Sequence, residues 1–322
     1  MRTDDIERKV NGPAEKPVPD GLDFSGAAAP TRRMSIAERL KKRAAKVDEA
    51  LGRALLPHAD GAAIRRLQDA MAYALTAGGK RMRPFLTLET AALYGRDDEA
   101  LDAAVALEMV HSYSLVHDDL PAMDDADTRR GQPSVHKAFD EAVAVLVGDA
   151  LLTEAFMVLT RYEAPVAAPM VRALAEASGM HGMVGGQMMD LYPDGHDEAN
   201  IVALQDKKTG ALIECAVTLG CLAGHAPQQE TEALRLYARK LGLAFQIADD
   251  LLDVTASAED LGKPAGRDED QGKATFVSLL SEAGARERLA QLNDEARKAL
   301  DAVSRDTSVL EQLLDWQASR TN

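Results

Sequence analysis

Two clusters of aspartate carry the chemistry open to this chain. The first is Asp118, Asp119, Asp124 and Asp125 in the run HSYSLVHDDLPAMDDADTRRG, and the second is Asp249, Asp250 and Asp253 in FQIADDLLDV. Each follows or lies within an apolar helical stretch, where a charge is costly unless something compensates it. Asp249 and Asp253 stand four residues apart, so on a helix they share a face about 6 Å apart along the axis. That spacing suits two carboxylates bridging one hydrated divalent ion. After Asp119 the chain leaves its helix at Pro121, so Asp124 can fold back towards Asp118. Oxygen-only donors select hard cations, and Mg²⁺ takes a few carboxylates together with water and substrate phosphate oxygens. A shared cation cluster therefore points to a phosphate-bearing substrate. Without metal, carboxylates so close repel one another and resist full ionisation. One such run alone reads as a solvated acidic face; two, each tied to an apolar helix, argue against that.

Basic residues gather beside the same features. Gly78-Gly79-Lys80-Arg81-Met82-Arg83-Pro84 leads cations into a helix, Arg129 and Arg130 follow the first acidic run, and Lys208-Thr209-Gly210 lies in a helix. Gly262-Lys263 and Gly272-Lys273 flank the loop after the second run. Arg matches phosphate oxygens two at a time, and Lys supplies a point charge. His111 precedes Asp118 by seven residues, which puts it on the same helix face. Two other motifs fail on inspection. A calcium loop counted from Asp125 would need an acceptor where Arg129 stands and a glycine where Arg130 stands. Gly266 to Gly272-Lys273 has five intervening residues and no preceding strand, so it is no phosphate loop.

These groups need a scaffold, and the sequence predicts a helical one. Of 322 residues, 46% are hydrophobic and only 4% aromatic, a balance that favours helix over sheet. The net charge of −15 and the lack of a basic stripe argue against a nucleic-acid partner, while metal ions can still bring anionic substrates to an acidic protein. Cys215 and Cys221 fall on different sides of one helix and read as reduced, packed thiols, which fits the cytoplasm. No apolar run long enough for a membrane span is expected, and the N-terminus has no apolar signal core. Residues 1–33 read as a disordered tail and 34–322 as one helical domain. Ser35 and Glu38 predict a capping box. Helices follow over about 61–77, 84–94, 98–120, 138–162, 166–190, 199–223, 228–256, 274–302 and 306–318, with a Gly/Pro-rich acidic loop at 257–272. The fold class is all-α, a single-domain helical bundle.

The segments GGKRMRP, HSYSLVHDDLPAMDDADTRRG, GDALL, GGQMMDL, KTGALI, FQIADDLLDV and LGKPAGRDEDQGKAT together resemble the trans-isoprenyl diphosphate synthases, most closely the bacterial farnesyl-forming members, over residues 35 to 320. The resemblance implies a deep central cavity, a homodimer and three Mg²⁺ ions bridging the aspartates to the diphosphate of an allylic substrate. By motif position, Asp118 and Asp124 would bind two ions and Asp249 the third, with Asp119, Asp250 and Asp253 in support. Arg129, Lys208 and Lys263 would grip the allylic diphosphate, and Lys80, Arg83, His111 and Arg130 would hold isopentenyl diphosphate. Thr209 and Gln246 would lie beside the reacting carbons, and Tyr113 and Ser114, one turn below the first motif, would limit product length. The expected reaction is condensation of isopentenyl diphosphate with dimethylallyl or geranyl diphosphate to farnesyl diphosphate. Geranyl or geranylgeranyl products, a terpene cyclase and a non-catalytic subunit of a prenyl synthase are the alternatives. The first 33 residues exceed the usual start of such chains.

Overall fold

A computed structural model describes residues 34–55, 61–195, 197–255 and 275–319. The predicted tail, Lys263 and the loop at 257–272 lie outside the described residues. Residues from Ser35 onward form one compact unit.

The helices are α1 (Ile36–Ala54), α2 (Ala62–Thr76), α3 (Met82–Ala92), α4 (Leu101–Asp118), a short α5 (Val135–Ala138), α6 (Glu141–Leu159), α7 (Ala164–Ser178) and α8 (Met183–Leu191). Then come α9 (Glu198–Gln205), a π-helical turn (Asp206–Gly210), α10 (Ala211–Gly224), α11 (Gln228–Thr255), α12 (Phe276–Leu300) and α13 (Ser308–Ser319). The predicted capping box forms at α1: Glu38 N–H donates to Ser35 Oγ at 3.3 Å and Ser35 N–H to the Glu38 carboxylate at 2.8 Å. Two expectations need correction. The helix predicted over 166–190 breaks between Gly179 and Gly182, giving α7 and α8. A two-residue hairpin, β1 (Thr128–Arg129) against β2 (Gln132–Pro133), follows the first acidic run; strands this short leave no alternation to detect.

Helix α4 is buried at every position from Ala103 to Val110, and α3 from Pro84 to Ala91. Helices apolar on all sides belong at a bundle's centre. The main core joins α1–α4, α6, α7, α10 and part of α11; a second cluster, built on Ile247, Leu251, Phe276 and Leu289, ties α11 to α12. One helix among the described residues, α6, is long and apolar enough to cross a membrane, with mean hydropathy 2.0, contrary to the reading of the sequence. Its Ala144, Val147, Leu151, Ala155 and Val158 belong to the main core, while Val145, Leu146 and Met157 are exposed. The two cysteines are free and buried, and burial pushes the Cys221 thiol up to about 12.

Candidate active site

The C-terminal end of α4 folds as the position of Pro121 suggests. Asp124 N–H donates to the Asp118 carbonyl at 2.8 Å, Asp125 N–H to Leu120 O at 3.1 Å and Ala126 N–H to Asp119 O at 3.1 Å. This tight reversal sets Asp124 against Asp118. Burial raises the Asp118 carboxyl to about 6, with Asp124 and Asp119 adding repulsion and Lys208 and Arg129 opposing it. Asp119 points elsewhere: it is 2% exposed and accepts hydrogen bonds of 2.7 to 2.9 Å from Arg129 Nε and Nη2. It therefore anchors Arg129 and leaves Asp118 and Asp124 as the open pair.

The second run divides in the same way. Asp250 is buried and accepts from Gln246 Nε2 at 2.8 Å and from Phe276 N–H at 2.9 Å. Its carboxylate thus satisfies a free amide at the N-terminus of α12, and it binds the side chain of Gln246. Asp249 and Asp253 stay half-buried on α11. Among the described residues no three carboxylates or imidazoles converge as a ready-made metal cage. An open, all-oxygen donor set with a repelling pair fits an ion that keeps water and phosphate ligands, which is the habit of Mg²⁺.

Basic side chains meet on α3 and α4. Arg83 Nη1 donates to His111 Nε2 at 3.3 Å, while the buried Arg83 Nε has no hydrogen-bond partner. Burial lowers the Arg83 guanidinium, and Arg130 adds repulsion against the pull of Glu108 and Asp249. His111 is held well below its usual range by burial and then by Arg83 and Arg130. Its Nε2 accepts from Arg83, so at neutral pH the imidazole is uncharged with its hydrogen on Nδ1. Arg130 reaches back to donate to Gly78 O. Lys80 is exposed and lies over the Trp316 ring, 5.8 Å from its centroid.

Lys208 and Thr209 lie in the π-helical turn between α9 and α10, a local widening that often marks functional positions. Gly186 on α8 touches the Lys207–Lys208 backbone so closely that a Cβ there would overlap it. Lys208 pairs with Asp190 of α8 at 2.5 Å. A cavity of about 480 Å³ takes in these groups. Arg83, His111 and Asp118 line it with Lys208 and Thr209, and its apolar wall includes Tyr113, Leu115, Met183 and Met188. Asp249 reaches the same place electrostatically, since it acts on Arg83.

Known proteins resemble this chain over most of its length. The family model described as polyprenyl synthetase matches residues 64–313. The chain belongs to the polyprenyl synthetase family. It is 41% identical to the farnesyl diphosphate synthase of Geobacillus stearothermophilus, covering 89% of this chain and 98% of that one. It is 47% identical to geranylgeranyl pyrophosphate synthase 9 of Arabidopsis thaliana, covering 73% and 68%. Its fold matches the crystal structure of an FPP/GFPP synthase from Zymomonas mobilis with a TM-score of 0.77 at 40% identity, covering 87% and 98%.

Within this polyprenyl synthetase the structure gathers most of the sequence-predicted residues and sorts them. Asp118, Lys208, Thr209, Arg83, His111, Tyr113 and Ser114 line the cavity. Arg129 and Gln246 are not among its lining residues and are held by Asp119 and Asp250. Sequence reasoning missed Asp190, which lies in the GGQMMDL segment and pairs with Lys208, and Gln187, which lines the cavity. It also missed Arg81. That side chain is 3% exposed and joined to Asp48 at 2.8 Å and Glu108 at 2.6 Å, so it braces the turn that presents Arg83. Asp190 as the one charged residue of the GGQMMDL segment was the available signal.

Proposed function

We propose that this chain is a Mg²⁺-dependent short-chain trans-prenyltransferase, joining isopentenyl diphosphate to dimethylallyl or geranyl diphosphate with farnesyl diphosphate as its product. The observation that carries the reading is the pairing, across one apolar cavity, of a repelling aspartate pair with a buried arginine lacking an anion at Nε. Each half is costly alone, and a metal-bound diphosphate and a free diphosphate would relieve one each. Asp118 and Asp124 would hold two ions and Asp249 a third; when bound, Mg²⁺ neutralises the charge that grows on the leaving diphosphate. Lys208 and Arg129 would add fixed positive charge at that group, a role the sequence motif also gives Lys263. Asp190 and Asp119 hold Lys208 and Arg129 in place beforehand. Isopentenyl diphosphate would sit against Arg83, Arg130 and Lys80, with His111 offering an uncharged N–H donor. The Thr209 hydroxyl and Gln246 carbonyl dipoles would face the allylic cation, the isopentenyl double bond would attack it at close range, and the proton would leave to diphosphate. Purified chain given Mg²⁺, isopentenyl diphosphate and dimethylallyl diphosphate is expected to yield a C15 alcohol after dephosphorylation; no condensation product would reject the reading.

Tyr113 supports the C15 product. It is 6% exposed on the cavity wall, where its ring can stop the growing tail. Tyr113→Ala is expected to shift the product to C20 or longer, and an unchanged C15 product would sink this role.

Asp118 gives a pH test. Its folded value of about 6 lies above the ordinary 3.8, so ionisation penalises the metal-free fold. The penalty is absent below about pH 4, grows as pH rises, and reaches on the order of 3 kcal/mol above the folded value. Mg²⁺ should therefore raise Tm more at pH 7.5 than at pH 5, and Asp118→Asn should erase that difference. Equal Mg²⁺ effects at both pH values in the unsubstituted chain would contradict the assignment.

A homodimer is part of the proposal. Val145, Leu146 and Met157 of α6 are exposed, apolar surface that a partner copy would cover. The enzyme would work in the cytoplasm.

A further inference from the structure

We infer that His117 is a positioning residue for Tyr113, and that Gly148 is glycine because it makes room for the His117 ring. The inference rests on the condensation reading above. His117 lies one turn after Tyr113 on α4, and the two rings meet edge to face, 5.8 Å apart at 77°. Such a contact favours one ring orientation over others. The imidazole is itself fixed from the other side. His117 Nε2 lies 3.1 Å from Val145 O; a carbonyl can only accept, so Nε2 carries the hydrogen and donates. Val145 is on α6, three residues before Gly148. A Cβ at Gly148 would overlap the imidazole at Nε2, Cδ2 and Cε1 at once. The ring therefore rests on bare α6 backbone, with Tyr113 against it and the cavity beside both.

Aromatic side chains on one helix could simply be packing. This pair differs because it borders the cavity where the prenyl tail would grow, and because its fixed point lies on another helix. With His117 displaced, Tyr113 loses the edge-to-face contact and the backbone anchor behind it. Its ring can then turn aside and let a longer tail descend. Gly148→Ala is an informative probe, since the three atoms nearest a Cβ there all belong to His117.

The test compares the unsubstituted chain, Gly148→Ala, His117→Ala and the double variant. Each receives Mg²⁺, isopentenyl diphosphate and geranyl diphosphate, and products are dephosphorylated and separated at equal turnover. Each single substitution is expected to raise the ratio of C20 and longer products to C15 roughly fivefold, and the double variant should match His117→Ala alone, because neighbours acting through one contact are non-additive. His117→Gln, which keeps a donor for Val145 O but lacks the ring, should also raise the ratio. Unchanged ratios in both single variants, or effects that multiply in the double variant, would overturn the inference. An unsubstituted chain that makes no condensate would instead fail the function reading, before any variant is compared.

Discussion

Asp118→Asn is expected to fold at least as stably as the parent and to lose about 4 kcal/mol of transition-state stabilisation, roughly a thousandfold in kcat. The two effects have one cause. Burial and the neighbouring Asp124 raise the Asp118 carboxyl to about 6, so at neutral pH its charge is a burden to the metal-free fold. The uncharged amide removes that burden and keeps the shape. The same charge is what a cation needs beside the leaving diphosphate, and an amide oxygen is a poor substitute. Stability and activity should therefore move in opposite directions, as at other strained functional sites. Thermal melting and steady-state kinetics at pH 7.5 check both. A variant that melts much lower, or one that keeps full kcat, would contradict the role given to Asp118. Asp119→Asn should behave differently, because Asp119 is the buried partner of Arg129; leaving that guanidinium unpaired costs stability as well as rate.

Arg83→Met is expected to raise KM for isopentenyl diphosphate by roughly 30- to 150-fold, the loss of about 2 to 3 kcal/mol of charge-assisted hydrogen bonding. KM for the allylic substrate should stay within about threefold. The selectivity follows from position. Arg83 touches His111 on α4 and lies within electrostatic reach of Arg130, whereas Lys208 acts on Asp118. The fold should tolerate the change, since burial already disfavours the Arg83 charge and its Nε serves no partner. Equal changes in both KM values would mean that the cations form one diphosphate site rather than two.

Much of this arrangement could be read from the sequence because it is local. The capping box at Ser35, the turn that brings Asp124 back to Asp118 and the helical face shared by Asp249 and Asp253 each depend on a few neighbouring residues. Longer-range assignments were harder. The sequence set Asp119 and Asp250 apart as supporting residues but not what they support: one holds Arg129, ten residues on, and the other binds the start of α12, 26 residues on. Gly186 of α8 packs directly on the π-helical turn at Lys208, and no spacing within KTGALI reveals that contact. Arg81 reads as one more cation in GGKRMRP, but its partners Asp48 and Glu108 lie on α1 and α4. The break between α7 and α8 fell inside a stretch whose apolar period runs through it. These contacts join distant segments, so composition and periodicity carry little trace of them.

The most direct test of the central claim is the release of inorganic pyrophosphate from dimethylallyl diphosphate by the purified chain with Mg²⁺, measured with and without isopentenyl diphosphate. If two diphosphates share this cavity and ionisation is coupled to condensation, release should require isopentenyl diphosphate and equal one pyrophosphate for each five-carbon unit added. Release without isopentenyl diphosphate, or no release with both substrates and Mg²⁺ present, would contradict the account.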